Sequence, residues 1–165
     1  MKKKKKILFV YGYNDSPESI VIDLMKKTLK NKHNNNYNIV SDYYAQYRPT
    51  DALKDLDNLV MTLHPDIVIG IELGGFLSAF LTNKKIKKIL INPIINPVEE
   101  LSKYEGTAKD ENGKEVKAKL VPDYIINFYK DFGKKLDFID PNIFTINEKN
   151  KDLESIISEN VIPLL

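Results

Sequence analysis

One stretch, IVIGIELGGFLSAFL at residues 67–81, does more than any other to limit what this chain can fold into. A short run rich in β-branched residues leads into Gly70-Ile71-Glu72-Leu73-Gly74-Gly75, and a second apolar run follows at once. Such a pattern predicts a buried strand, a tight turn and a buried helix, with no polar face for solvent on either element. Glycines at 70, 74 and 75 let the backbone reverse and the helix lie close on the sheet. Close packing alone would also account for them. The layout is that of a nucleophile elbow, G-x-S-x-G, in which a sharp strand-to-helix turn lifts one side chain above the sheet. Glu72 stands where the serine of that motif belongs.

The rest of the chain supplies the sheet that such a turn needs. Lys5–Tyr11, ending at Gly12, reads as a buried first strand, and Asn14-Asp15-Ser16-Pro17 offers capping chemistry for a helix over 18–31. A polar turn at 31–36 precedes a second strand near 37–42. Thr50 or Asp51 would cap a helix over 51–63, which His64-Pro65 ends. Strand 66–71, the turn at Glu72, helix 73–82 and strand 86–92 follow. Alternating strands and helices imply right-handed crossovers and a mainly parallel sheet. Residues 98–120 break the alternation: AKDENGKEVKAKL carries Asn112-Gly113 between alternating residues, a hairpin signal read as an excursion over the sheet edge. A helix at 121–135, a strand at 142–147 and a helix at 151–159 restore the pattern. The whole of residues 1–165 is expected to form a single domain, with a lid-like hairpin at about 98–120.

Composition excludes several functions. Cysteine is absent, so thiolate catalysis, disulfides and Cys-based metal sites fall away. Net charge is only +2, and Arg48 is the single arginine, so no strong field recruits nucleic acid or a membrane. The lysines at 2–6 read as a solvated flank of the first strand. The basic start and apolar run of MKKKKKILFVYGY resemble a secretory signal, but the run is short and no small-residue cleavage site follows. The run at 67–81 is too short to span a membrane and carries Glu72. A cytoplasmic location is the default expectation. No P-loop, dinucleotide fingerprint or metal-ligand spacing is present, so no cofactor and no metal are expected. Glu99-Glu100 and Asp110-Glu111 read as solvated, with at most weak affinity for a divalent ion.

Three segments in order, VYGYNDSPES (10–19), IGIELGGFLSAFL (69–81) and ILINPIINPVEEL (89–101), resemble successive motifs of the YqiA-type family, whose members are taken for esterases of the α/β-hydrolase superfamily. The likeness covers about residues 5–105. It implies a three-layer α/β fold with a mostly parallel sheet of about five or six strands, shortened at the C-terminal end. It also implies an oxyanion hole, formed by the N–H of Leu73 and a second N–H at Tyr13 or Asn14, with Gly12, Gly74 and Tyr11 around it. The family's acid would fall at Glu148 or Asp152, and its histidine near the C-terminus.

The departures decide what chemistry to expect. A serine esterase needs a hydroxyl, an imidazole to activate it and a carboxylate to orient the imidazole. Glu72 brings no hydroxyl, and Ser78 lies too far along the helix to replace it. His33 sits in a polar turn, and His64 precedes the elbow strand, at the opposite edge from the site. A carboxylate beside helix-terminal N–H groups should stay ionised and serve better as a binder than as a nucleophile. Tyrosines 11, 13, 43, 44 and 47 would either line the cleft or simply pack.

Three functions therefore stand as expectations. The first is a degenerate hydrolase, a pseudoenzyme binding a small molecule in the former active-site cleft. The second is a hydrolase of ester-like substrates that uses Glu72 or completes its site with another chain. The third is a module that docks a protein partner through the hairpin. A bare sheet edge would favour homodimerisation in each.

Overall fold

The computed structural model describes residues 3–32, 36–136 and 140–165. Five strands, β1 (Lys5–Val10), β2 (Tyr37–Val40), β3 (Ile67–Ile71), β4 (Lys87–Ile91) and β7 (Ile143–Ile146), form one parallel sheet in the order β2-β1-β3-β4-β7. A separate antiparallel ribbon, β5 (Glu105–Lys109) and β6 (Glu115–Lys119), is the expected hairpin. At its tip Gly113 takes φ 76°, and the Asp110 carboxylate accepts the N–H groups of Asn112 and Lys114. His33, in the polar turn after the first helix, lies outside the described residues.

Topology explains the layers. The chain leaves β1 through α1 (Ile20–Lys32) to reach β2 on one side, then returns through α2 (Pro49–Leu63) to β3 on the other. Right-handed crossovers in opposite directions put α1 and α2 on opposite faces. Accordingly α2 packs with α3 (Leu73–Ala79) and α5 (Asp123–Phe132), while α1 packs with α6 (Leu153–Ile156) and the π-helical turn after it. A short helix, α4 (Pro97–Ser102), packs on α5. Ile7, Leu8, Val68, Ile69, Ile89 and Leu90 are fully buried on the two faces of the central strands. Their near-continuous apolar runs are what a parallel sheet covered on both sides requires.

Some boundaries move, for local reasons. Helix α2 starts at Pro49 rather than at 51, and its cap residue Arg48 makes no side-chain capping bond. Proline's fixed φ and missing N–H suit a first helical position, so neither Thr50 nor Asp51 acts as the cap. His64 closes α2 with φ 48° and its N–H on the Val60 carbonyl. Helix α4, within the charged excursion, was not legible as a helix in its own right. No described helix is long and apolar enough to cross a membrane.

Candidate ligand cleft at the elbow

The reversal of chain direction at β1 places β2 and β3 on either side of it, so the loops leaving β1 and β3 diverge. Crevices of this kind, beyond the carboxyl ends of parallel strands, are where open α/β sheets bind ligands. The loop after β1 holds Gly12, Tyr13 and Asn14, and the turn after β3 holds Glu72.

The elbow is built as the sequence suggests. Glu72 takes φ 52° and ψ −116°, a conformation rare for a residue with a side chain, and α3 starts immediately after it. Its N–H donates to the Ile91 carbonyl at 3.0 Å, while its own carbonyl accepts from Ile94 at 3.0 Å and Phe76 at 3.1 Å. Those bonds tie the turn to β4 and to α3 and hold the strained residue in place. Gly74 makes the arrangement possible: a Cβ there would lie 2.2 Å from the Val10 carbonyl oxygen and 2.4 Å from that of Tyr11. The α3 backbone rests directly on the end of β1.

The Glu72 carboxylate reaches over Gly12, where a Cβ would come within 3.1 Å of Oε2. Tyr104 donates its hydroxyl to that carboxylate. Burial pushes the Glu72 pKa up and the negative Asp15 adds to this, while the Tyr104 bond pulls it down. The expectation of a carboxylate simply at ease in its surroundings is thus corrected, because desolvation is the largest influence. Tyr104 itself is pushed up to about 12, first by burial and then by the Glu72 charge, so it remains a donor at neutral pH. Its ring meets Tyr13 edge-on, with centroids 6.2 Å apart.

Other expected members of the site fall differently. The N–H of Leu73 and of Tyr13 bond to no described residue, whereas that of Asn14 is taken by Gln46 Oε1 at 2.7 Å. Leu73 and Tyr13 are therefore the free pair, and Asn14 is not. Tyr11 is corrected from cleft to core: it is 1% exposed, its ring lies 4.8 Å from that of Tyr44, and its hydroxyl accepts the Tyr44 N–H. Tyr44 is buried with it, while Tyr43 and Tyr47 lie on the outer surface. Asp152 is corrected from acid to helix cap, its carboxylate accepting the Ser155 N–H at 2.8 Å. Glu148 stays close to the site through its backbone: its N–H donates to Asn92 Oδ1 at 2.7 Å. Ser78 is buried with its hydroxyl on the Gly74 carbonyl. His64 is at the far edge, beyond a strand of five residues that spans about 16 Å at ~3.3 Å per residue.

An open cleft of about 410 Å³ lies above the elbow, lined by Glu72, Asn92, Ile94, Glu100, Lys103, Tyr104 and Lys149. Tyr104 was missed in the sequence because its place depends on where the ribbon begins: Leu120 N–H donates to the Tyr104 carbonyl, fixing the residue at the ribbon's base. Asn92 was quoted within the third motif without a role. It takes φ 43°, and its amide holds the loop after β7 against the end of β4. The two Asn-Pro pairs have separate uses. Pro93 packs against Gly75, while Asn96 and Pro97 cap and start α4. Among the described residues no group of three or more His, Asp or Glu side chains is arranged to hold a metal.

Solved structures share this architecture. The "Putative hydrolase" of Agrobacterium vitis S4 aligns over 98% of this chain and 87% of its own, with TM-score 0.54 and 10% identity. Est1E of Butyrivibrio proteoclasticus aligns over 78% of this chain with TM-score 0.51 and 16% identity. Its form bound to ferulic acid gives 79%, 0.53 and 13%. This chain spans 58% and 61% of the two Est1E chains, and at such identities the likeness establishes the fold. The sequence itself matches over residues 6–131 to UPF0227, an uncharacterised protein family, which takes in all three YqiA-like motifs, and the chain belongs to that family.

Proposed function

We propose that this chain is an esterase-like α/β-hydrolase relative that binds a small molecule in the elbow cleft and has given up serine-type catalysis. The observation that carries the reading is Glu72. It keeps the strained φ of 52° that a nucleophile elbow requires, yet it presents a carboxylate held by the Tyr104 hydroxyl. Acyl transfer of the serine type needs an alkoxide generated by a neighbouring imidazole. Glu72 has no hydroxyl to activate, and His64, the one histidine among the described residues, sits at the other edge of the sheet. Direct attack by the carboxylate would give an acyl anhydride, whose breakdown needs an activated water, and no described imidazole stands beside it.

The N–H groups of Leu73 and Tyr13, bonded to no described residue, could still stabilise an anion, but the residue at the elbow is itself an anion. A group so placed is suited to gripping a ligand's donor rather than to leaving with an acyl group. Hydrolysis of a short-chain p-nitrophenyl ester by the native chain and by Glu72→Gln tests this. Turnover at the uncatalysed rate in both is the expected result. Turnover that the substitution abolishes would replace this reading with a hydrolase that uses a carboxylate at its elbow.

A further inference from the structure

Four charged side chains line the elbow cleft, and two are already committed. Glu100 Oε2 accepts the N–H groups of Ile95 at 2.7 Å and Asn96 at 2.8 Å. Lys103 Nζ pairs with Glu99 Oε1 at 3.2 Å. The other two, Glu72 and Lys149, have opposite charge and line the same cleft. Glu72 receives one side-chain donor, the Tyr104 hydroxyl, although an ionised carboxylate can accept about four hydrogen bonds. Lys149 is exposed and bonds to no described residue. The Asn92 amide is occupied at both ends by the Glu148 backbone, so it does not compete for a ligand. Ile94 lines the same cleft and offers it an aliphatic wall.

Resting on the reading that this cleft binds a small molecule, we infer that its ligand is a short zwitterion. An ammonium group would donate to Glu72 and an anionic group would face Lys149, with methylenes against Ile94. The two ends are unequal. Glu72 stands on a turn fixed by its backbone bonds to Ile91, Ile94 and Phe76, so its short side chain loses little freedom when a donor arrives. Lys149 remains solvated, and an exposed ion pair adds little. Affinity should therefore depend mainly on the ammonium–Glu72 contact, with Lys149 selecting zwitterions over plain amines.

The test is a titration of the full chain with ω-amino acids of increasing length, from glycine to 6-aminohexanoate. Matched alkylamines, alkanoates and neutral alcohols serve as comparisons, and the backbone amide resonances of Leu73, Ile94 and Tyr104 are followed. One ω-amino acid should bind about fivefold more tightly than the amine of the same length, and alkanoates should leave these resonances unmoved. Glu72→Gln should weaken the zwitterion about tenfold or more, with the rest of the spectrum intact as evidence of folding. Lys149→Gln should reduce the zwitterion to the level of the amine. Equal binding of amine and zwitterion by the native chain would overturn the inference, as would binding that survives Glu72→Gln. If neutral alcohols or alkanoates move the three resonances and no ammonium compound does, the ligand class falls while the cleft stands. If no probe of any charge moves them, the reading of the cleft falls as well.

Discussion

Two ends of the same sheet hold a charged side chain, one open to solvent and one fully buried. At the carboxyl end Glu72 opens on a cleft and has the Tyr104 hydroxyl as partner. At the amino end Lys88, the second residue of β4, is fully buried, and its Nζ has no hydrogen-bond partner among the described residues. Burial lowers the Lys88 pKa to about 8, Lys84 adds to the shift, and Asp140 and Asp57 oppose it only in part. An exposed carboxylate with one partner leaves a group able to take a ligand's donor. Full burial without one leaves a group that only destabilises, and no neighbour explains why a lysine stands at 88. The contrast separates a side chain that the fold presents from one that it merely tolerates.

The largest expected effect tests the scaffold under the first of these groups. Gly74→Ala would drive a Cβ to 2.2 Å from the Val10 carbonyl, and backbone on both sides leaves no flexible atom to yield. A loss of about 3 kcal/mol or more in urea unfolding is expected, with the elbow disrupted whatever residue occupies 72.

Lys88→Met should act in the opposite direction. Because the folded pKa lies below the ordinary 10.5, keeping Lys88 protonated at pH 7 destabilises the folded state. That penalty is fully present below about pH 8, and the native chain regains stability as pH rises from about 8 toward 10.5. The substitution should therefore stabilise by about 2 kcal/mol at pH 7 and lose most of that advantage by about pH 10. Thermal unfolding of both chains across this range measures it. An advantage independent of pH would mean that the buried charge of Lys88 is not what destabilises the native chain.

Smaller changes are expected at the cleft. Glu72→Gln should shift stability by less than ~1 kcal/mol at pH 7, since it relieves a desolvated charge while weakening the Tyr104 bond. The sign follows from the raised pKa: the native chain loses stability relative to the Glu72→Gln variant as pH rises past the ordinary carboxyl value of 4.5. Tyr104→Phe removes the one influence that lowers the Glu72 pKa, so its carboxyl carbon should titrate at higher pH by NMR than in the native chain. A midpoint that moves down would show that Tyr104 does not bond to Glu72 in solution.

Much of the fold was legible because periodicity and steric punctuation speak for single elements. IVIGI reads as a covered strand, Gly-Ile-Glu-Leu-Gly-Gly as a sharp turn or close packing, and Asn112-Gly113 as a hairpin tip. Glu72, Leu73 and Tyr13 could be singled out because a turn's position in such a connection decides which side chain and N–H groups it presents. Tyr11 was not, since the two faces of a fully covered strand look alike in sequence, and its hydroxyl found the Tyr44 N–H within the core. Asn14 as a donor to Gln46 depended on a partner 32 residues away that no local pattern reveals, whereas Asp152 as a cap is a short-range feature, three residues before Ser155, that the family likeness overrode. Tyr104 and Lys149 reach the cleft by tertiary contact alone.

The central claim is that chemistry at this elbow ended with more than the loss of one hydroxyl. Glu72→Ser restores that hydroxyl on a turn already held at φ 52°, and hydrolysis of p-nitrophenyl acetate by this variant is the direct test. With no imidazole beside the elbow among the described residues, the account predicts kcat below about 0.1 s⁻¹, far under the ~10 s⁻¹ typical of enzymes. Turnover above that value would contradict it, and would mean that a base reaches residue 72.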